Sequence, residues 1–252
     1  MIPLYLINLD GSDDRLAHAA ESLRAQGLAF ERVPAFDGRG RDVRSLPLYD
    51  EAASLRHMGR VMRGGEVGCY LSHLDCARRL LATGAPMGVV LEDDVELEPD
   101  FSEKLGELTA ALREKSGWRL VHLAAQKLKI ATPIRSFGRY ELYGAHYFPM
   151  TTTALLWSRA GAEEFLKVGG GRIGAPVDNF LRAWLTREGG GLALKPPLAT
   201  TTGAESDIGA SVRKTARRSL LYGWRKQRRL MGDKLRAMRA RRRFRPAALK
   251  EE

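Results

Sequence analysis

Three carboxylates, Glu92, Asp93 and Asp94, sit at the end of an apolar run in "MGVVLEDDVELEPDF", which extends from Met87 to Phe101. Like charges repel, and burying any of them without a partner is costly, so the stretch asks for a compensating cation. A hard divalent ion such as Mn²⁺ or Mg²⁺ takes oxygen ligands and could neutralise the triplet while bridging the phosphates of a substrate. Strand alternation sends Glu92 and Asp94 to one side and Asp93 to the other, so a metal would take Asp94, with Glu92 as its companion. The alternative is a solvated acidic turn that caps the next helix.

Other polar residues stand where chemistry could use them. Arg15 falls in the first turn of the first helix, where a cation opposes the helix dipole. An anionic ligand would suit it better, unless it pairs with Asp13 or Asp14. In "GGEVGCYLSH", Glu66, Cys69, Tyr70 and His73 share one helical face. Gly64, Gly65 and Gly68 allow close backbone approach at that helix's N-terminus; otherwise this is a capped helix with a boundary histidine. Asp178 lies in the first turn of the helix that "APVDNFL" opens. Its position should favour the ionised form, and simple dipole stabilisation is the alternative role. "TTGAESDIGAS" has no hydrophobic pattern and reads as a loop.

The elements that must position these residues alternate. Ile2–Leu9 reads as a buried strand. A helix follows from Ser12 and stops at Gly27. "FERVPAF" is a second strand, "GEVGCYLSHLDCARRLLATG" a helix and "MGVVLEDD" a central strand. Pro99 opens another helix, "WRLVHLAA" is a strand, "YFPMTTTALLWS" is extended, and "LALKPP" is a last short strand. Residues 42–63 show little periodicity and read as an irregular insert. Alternating strands and helices argue an α/β sheet that is at least half parallel. In such sheets ligands bind beyond the carboxyl ends of the strands, where Asp10 and the acidic triplet fall.

The formal charge of +11 over 252 residues hides a division. Residues 212–250 hold 16 Lys/Arg and one acid, whereas residues 1–211 hold 25 Lys/Arg and 27 Asp/Glu. A near-neutral body, 1–211, therefore carries a basic tail, 212–252. In the tail Leu220, Trp224, Met231, Leu235 and Met238 recur at helical steps, the pattern of a basic amphipathic helix lying on an anionic membrane. Nucleic-acid binding through the same charges is the rival, but no nucleic-acid motif accompanies them. A solvated tail is the plainest alternative. Cys69 and Cys76 are the only cysteines and form no C-x-x-C pair, which argues against a zinc site and fits a reducing compartment. The N-terminus reads as a strand rather than a signal peptide, and no apolar run reaches the ~20 residues that span a bilayer.

Taken together, "YLINLDGSDDR", "VPAFDG", "GEVGCYLSH", "VVLEDDV", "APVDNFL" and the late "ESDI" resemble glycosyltransferase family 25. This is the lipopolysaccharide and lipooligosaccharide glycosyltransferases, to which collagen galactosyltransferase domains are related. The six elements keep the family's order over about residues 2–208. The resemblance implies a GT-A-type fold, a Rossmann-like mixed sheet flanked by helices, here with a basic helical C-terminal tail. It also implies a divalent metal and a UDP-sugar donor, most often UDP-galactose, in an inverting transfer to a saccharide or lipid-linked saccharide acceptor. Asn8 and Arg15 would lie near the donor diphosphate and Asp37 near the nucleoside. Glu66, Gly68, Ser72 and His73 would line the donor pocket. Glu92, Asp93 and Asp94 stand for the D-x-D element, with Asp94 as first metal ligand, and Asp178 is the candidate base. Gly11 replaces the usual basic residue of the first motif, and "HYFPMTTTALLWS" replaces a glycine- and tyrosine-rich strand. The expected place is cytoplasmic, on the inner face of the cytoplasmic membrane. The rival class is a non-catalytic sugar-nucleotide-binding homologue.

Overall fold

The computed structural model describes residues 2–203 and 220–245. Strand β1 (Leu4–Asn8) is buried along its whole length. It is joined through helix α1 (Asp13–Ala25) to β2 (Glu31–Pro34), with Gly27 at a φ of 69° turning the chain after the helix. Helix α3 (Gly64–Ala82) then crosses to β3 (Met87–Glu92), which pairs with β1 on its other side. Both pairings are parallel. α1 and α3 cover opposite faces of the sheet and the strand order reverses at β1, so the crevice at the carboxyl ends of β1 and β3 is a topological switch point, where open α/β sheets bind ligands.

The sheet has eight strands in the order β2-β1-β3-β8-β5-β9-β7-β6. The further members are β5 (Leu120–His122), β6 (Ala131–Phe137), β7 (Tyr140–Ala145), β8 (Ala154–Ser158) and β9 (Gly191–Lys195). β8 and β7 run antiparallel to their neighbours, which makes the sheet mixed. Its two faces are both covered, as uniformly apolar strands require. Tyr5, Val90, Leu155 and Trp157 face α3, α5 (Arg159–Gly169) and α6 (Val177–Glu188). Leu4, Leu6, Val89 and Leu91 face α1 and α4 (Phe101–Leu112). A two-stranded ribbon, β4 (Val95–Leu97) with β10 (Ala199–Thr201), caps the carboxyl end of β3 and pairs Val95 with Thr201.

The structure differs from the sequence-based expectation in three places. Residues 42–63 are not irregular: they hold a 3₁₀ turn and helix α2 (Glu51–Met58), capped by the Asp50 side chain and by Gly59 in the left-handed region. Residues 131–145 form a hairpin with no expected counterpart. The basic segment is helical, as α7 (Leu220–Arg243), but it is docked rather than free. Ala237 and Asp233 are buried, Arg229 donates to the His57 carbonyl at 2.6 Å, and the Phe244 ring meets His146 edge-on at 5.0 Å. The expected boundary at 211/212 lies outside the described residues.

Candidate active site

The crevice at the switch point is lined by residues from five segments, among them Arg15, Phe36, Asp37, Arg39, Cys69, Ser72, Glu92, Asp93 and Asp94. The acidic triplet does not split between two faces as strand alternation would have it. β3 ends at Glu92, and Asp93 and Asp94 occupy the turn before β4, so all three carboxylates border one cavity.

Each carboxylate is handled differently. Asp93 is ion-paired with Arg15 and accepts a hydrogen bond from Asn8 Nδ2 at 2.7 Å. Arg32 Nε in turn donates to Asn8 Oδ1 at 2.9 Å and fixes the amide. Arg15 thus pairs across the cavity rather than with Asp13 or Asp14. Glu92 Oε1 collects three donors: Thr152 Oγ1 at 2.6 Å, His73 Nε2 at 3.1 Å and Cys69 Sγ at 3.6 Å. Burial alone would raise the Glu92 pKa, but the hydrogen bonds led by His73 outweigh it and leave the group below its ordinary value. The Cys69 thiol is pushed well up, by burial first and then by the charge of Glu92, so it remains a proton donor. The Cys69, His73 and Glu92 ligand atoms lie within 4.8 Å of one another, and in this arrangement Cys69 and His73 give their hydrogens to the Glu92 carboxylate.

Asp94 is the exception. Thr201 Oγ1 donates to its Oδ2 at 3.0 Å, and the Thr202 amide donates to its backbone carbonyl at 2.8 Å. Its Oδ1 is buried and, among the described residues, accepts no hydrogen bond. Burial, then the charge of Glu92, pushes the Asp94 pKa up. A buried oxygen acceptor with nothing to accept from, beside two further carboxylates, is the donor chemistry of a hard divalent cation. The residues present therefore fit a metal, with Asp94 as the ligand whose oxygen is open and Glu92 beside it already held by protein donors.

The remaining expected residues fall into two groups. Asp37 and Ser72 border the crevice. Asp37 is held below its ordinary pKa by hydrogen bonds from the Arg39 side chain and amide. Ser72 Oγ accepts from the Phe36 amide at 2.9 Å and positions that loop. His73 stands behind Glu92. Gly68 does not touch the cavity; a Cβ there would collide with the Phe36 carbonyl, so glycine lets α3 approach the loop that forms one wall. Glu66 is also off the cavity: Arg60 grips both its oxygens, at 2.8 and 2.5 Å, and it caps α3 by accepting from the Arg63 amide. Asp178 does not line the cavity but lies near enough to Glu92 for the two charges to act on each other. Its helix-terminal position does not decide its ionisation as expected. Burial is the largest influence and raises its pKa, against hydrogen bonds from Asn179. Thr152, Thr201, Phe36 and Arg39 complete the site without having been singled out from the sequence. Glu205 and Asp207, in the "ESDI" element, lie outside the described residues.

Comparison with known proteins follows the same outline. The model of glycosyltransferase family 25 (LPS biosynthesis protein) matches residues 1–180. Procollagen galactosyltransferase 1 of Danio rerio is 25% identical over 187 residues, covering 71% of this chain and 30% of its own. The probable inactive glycosyltransferase 25 family member 3 of Bos taurus is 32% identical over 189 residues, covering 71% of this chain and 31% of its own. The chain thus spans about a third of the length of these relatives. The solved structure of a glycosyltransferase involved in the glycosylation of the major capsid of PBCV-1 aligns over 91% of this chain and 99% of its own, at 12% identity and a TM-score of 0.43. With its family model matched over residues 1–180, from β1 through the triplet to Asp178, the chain belongs to glycosyltransferase family 25.

Proposed function

We propose that this chain is a metal-dependent, inverting glycosyltransferase that moves a sugar, galactose by preference, from a UDP-sugar to a saccharide acceptor in lipopolysaccharide or other cell-surface glycan synthesis. The observation that carries the reading is Asp94 Oδ1, a buried carboxylate oxygen without a hydrogen-bond partner among the described residues, in a crevice whose other acids are already compensated. The name of the Danio rerio relative favours galactose, and the family's description favours the glycan.

In that reaction the acceptor hydroxyl oxygen bonds to the anomeric carbon as the bond from that carbon to the diphosphate oxygen breaks. The electron pair leaves with the diphosphate, and the hydroxyl proton passes to Asp178. A divalent metal, when bound, supplies positive charge to the departing diphosphate. Asp94 would hold it. Arg15 lines the crevice as a fixed cation and keeps Asp93 from adding an uncompensated charge. His73, Thr152 and Cys69 keep Glu92 ionised and in place. The second reading, a homologue that binds the nucleotide without transfer, is favoured by the inactive relatives. Both readings meet one test: incubation with a panel of nucleotide sugars and Mn²⁺, following ligand protection and product release. UDP-galactose is expected to be bound and turned over. Binding without turnover would select the second reading, and binding of no nucleotide sugar would overturn both.

The partner surface follows from α7. Trp224, Met231, Leu235 and Met238 are exposed at 62, 63, 49 and 44% and recur at steps of seven, four and three. At 100° per residue they form one outward stripe, opposite the docked face of Asp233, Ala237 and Phe244. Arg228 and Arg239 flank the stripe on one side, Lys234 and Arg241 on the other. An apolar stripe between cationic flanks matches an anionic bilayer surface, and we infer that α7 holds the enzyme there, on the inner face of the cytoplasmic membrane. No described helix is long and apolar enough to cross a membrane. The protein should bind phosphatidylglycerol vesicles in a salt-sensitive way and ignore phosphatidylcholine. Trp224 fluorescence should shift blue, since Trp118, Trp157 and Trp184 are buried. M231S/L235S should lose this binding. Equal binding to both lipids, or an unaffected variant, would overturn the inference.

A further inference from the structure

A second cleft opens between the segment that leads into β8 and α6, the helix that carries Asp178. It is lined by Lys127, Lys129, Tyr147, Met150, Thr151 and Arg182, with no carboxylate among its lining residues. Its wall is one residue from the first site. His122 hydrogen-bonds the carbonyls of Met150 and Thr151 at 2.8 and 3.1 Å, while the adjoining Thr152 donates to Glu92. Thr151 adopts a φ of 74°, an uncommon conformation for a residue with a side chain, and the carbonyl contacts to His122 hold it there. On the helix side, Arg182 is one turn beyond Asp178, and the two charges act on each other.

The three cations of this cleft are unspent. Arg182 is half-buried, donates from Nε to the Phe148 carbonyl at 2.9 Å and lies 4.9 Å from the centre of the Tyr147 ring. Among the described residues it forms no ion pair, and neither do Lys127 and Lys129. A partly desolvated guanidinium with no direct ion pair gains a partner when an anion arrives, and its forked donors match a phosphate or carboxylate. Tyr147 is buried and backs Arg182 in the cleft wall. The first crevice, the reacting edge at Glu92 and Asp178, and this cleft therefore follow one another.

We infer that the second cleft is the acceptor subsite and that it takes a saccharide bearing an anionic group, a phosphate or a carboxylate, close to the hydroxyl that receives the sugar. This rests on the transferase reading, but its test does not need turnover. Full-length protein is titrated with glucose 6-phosphate, glucuronic acid, glucose and inorganic phosphate, each followed by ligand-observed NMR. At least one of the two charged sugars should bind about tenfold or more tighter than glucose, and which one does so identifies the anion. K127E/K129E should bring the charged sugar down to the level of glucose, and K127R/K129R should retain the preference, with circular dichroism confirming that both variants fold. Equal binding of charged and neutral sugars would overturn the inference, as would a preference that survives K127E/K129E. So would inorganic phosphate binding as tightly as glucose 6-phosphate, which would leave a bare anion site. If the inference holds but the transferase reading fails, charged sugars still bind here while no nucleotide sugar is turned over.

Discussion

Asp94→Asn is expected to abolish sugar transfer and to leave the protein at least as stable as the wild type at neutral pH. The substitution keeps side-chain volume and an oxygen that can accept from Thr201 Oγ1, so the contact at 3.0 Å can persist. What it removes is a charge that the fold does not compensate. Burial and then the Glu92 charge raise the Asp94 pKa. The sign follows from linkage: a carboxyl whose folded pKa lies above its unfolded value of about 3.9 contributes stability below that value. That contribution is lost as pH rises through the raised folded pKa. At pH 7 the ionised Asp94 therefore works against folding, and asparagine, which cannot ionise, does not. Near pH 3 the two proteins should melt alike. For transfer the effect is opposite and larger. Losing the oxygen that would hold the divalent ion should lower kcat by about 10²-fold or more, the scale of lost electrostatic stabilisation of a leaving charge. Added Mn²⁺ should raise the melting temperature of the wild type and not that of the variant. A variant that is both less stable and fully active would return Asp94 to a purely structural role, and full wild-type activity in EDTA would remove the metal.

The contrast between Asp93 and Asp94 shows where sequence reading stops. The strands and helices that build the switch point are legible because burial leaves a local trace. β1 is an unbroken apolar run, α1 is punctuated by Gly27, and α3 carries its apolar stripe. The place of the triplet at a strand's carboxyl end is legible too. Its division of labour is not, because alternation applies only while the strand lasts and β3 ends at Glu92. Arg15 meets Asp93 across the sheet from far away in sequence, and Thr152 and Thr201 arrive from β8's approach and from β10, so no spacing rule connects them to Glu92 and Asp94. The β6–β7 hairpin was hidden by Pro133 and the register shift between Pro133 and Arg135, which break the period-2 signal. Helix α2 was readable in principle, since Asp50 and Gly59 mark both its ends. Glu66 was assigned through the resemblance, which puts it in the donor pocket, whereas Arg60, six residues before it, takes its carboxylate into a local cap that the capped-helix reading of the same stretch had allowed.

Asp178→Asn is expected to lower kcat by about 10²–10⁴-fold, the range for a lost general base, with donor affinity nearly unchanged because Asp178 does not line the donor crevice. Its environment suits the role. A helix N-terminus would favour the carboxylate and make it a weak base, but burial is the larger influence and shifts the pKa upward, only partly offset by hydrogen bonds from Asn179 and by the Arg182 charge. A raised pKa gives a stronger base at the cost of protonation at mildly acidic pH. The acid limb of kcat at saturating donor and metal should therefore sit above the ordinary aspartate range of about 3.9, with activity rising as pH climbs through the folded pKa. Asp94 titrates upward from its own ordinary value as well, so the two must be separated. Protonating Asp94 should weaken metal affinity, which saturating Mn²⁺ masks, whereas protonating Asp178 lowers kcat whatever the metal concentration. In Asp178→Asn the residual activity should lose this limb. A near-normal kcat, or the same limb persisting in the variant, would take the proton-accepting role away from Asp178 and pass it to Glu205 or Asp207, where the corresponding amide variants should then show the loss.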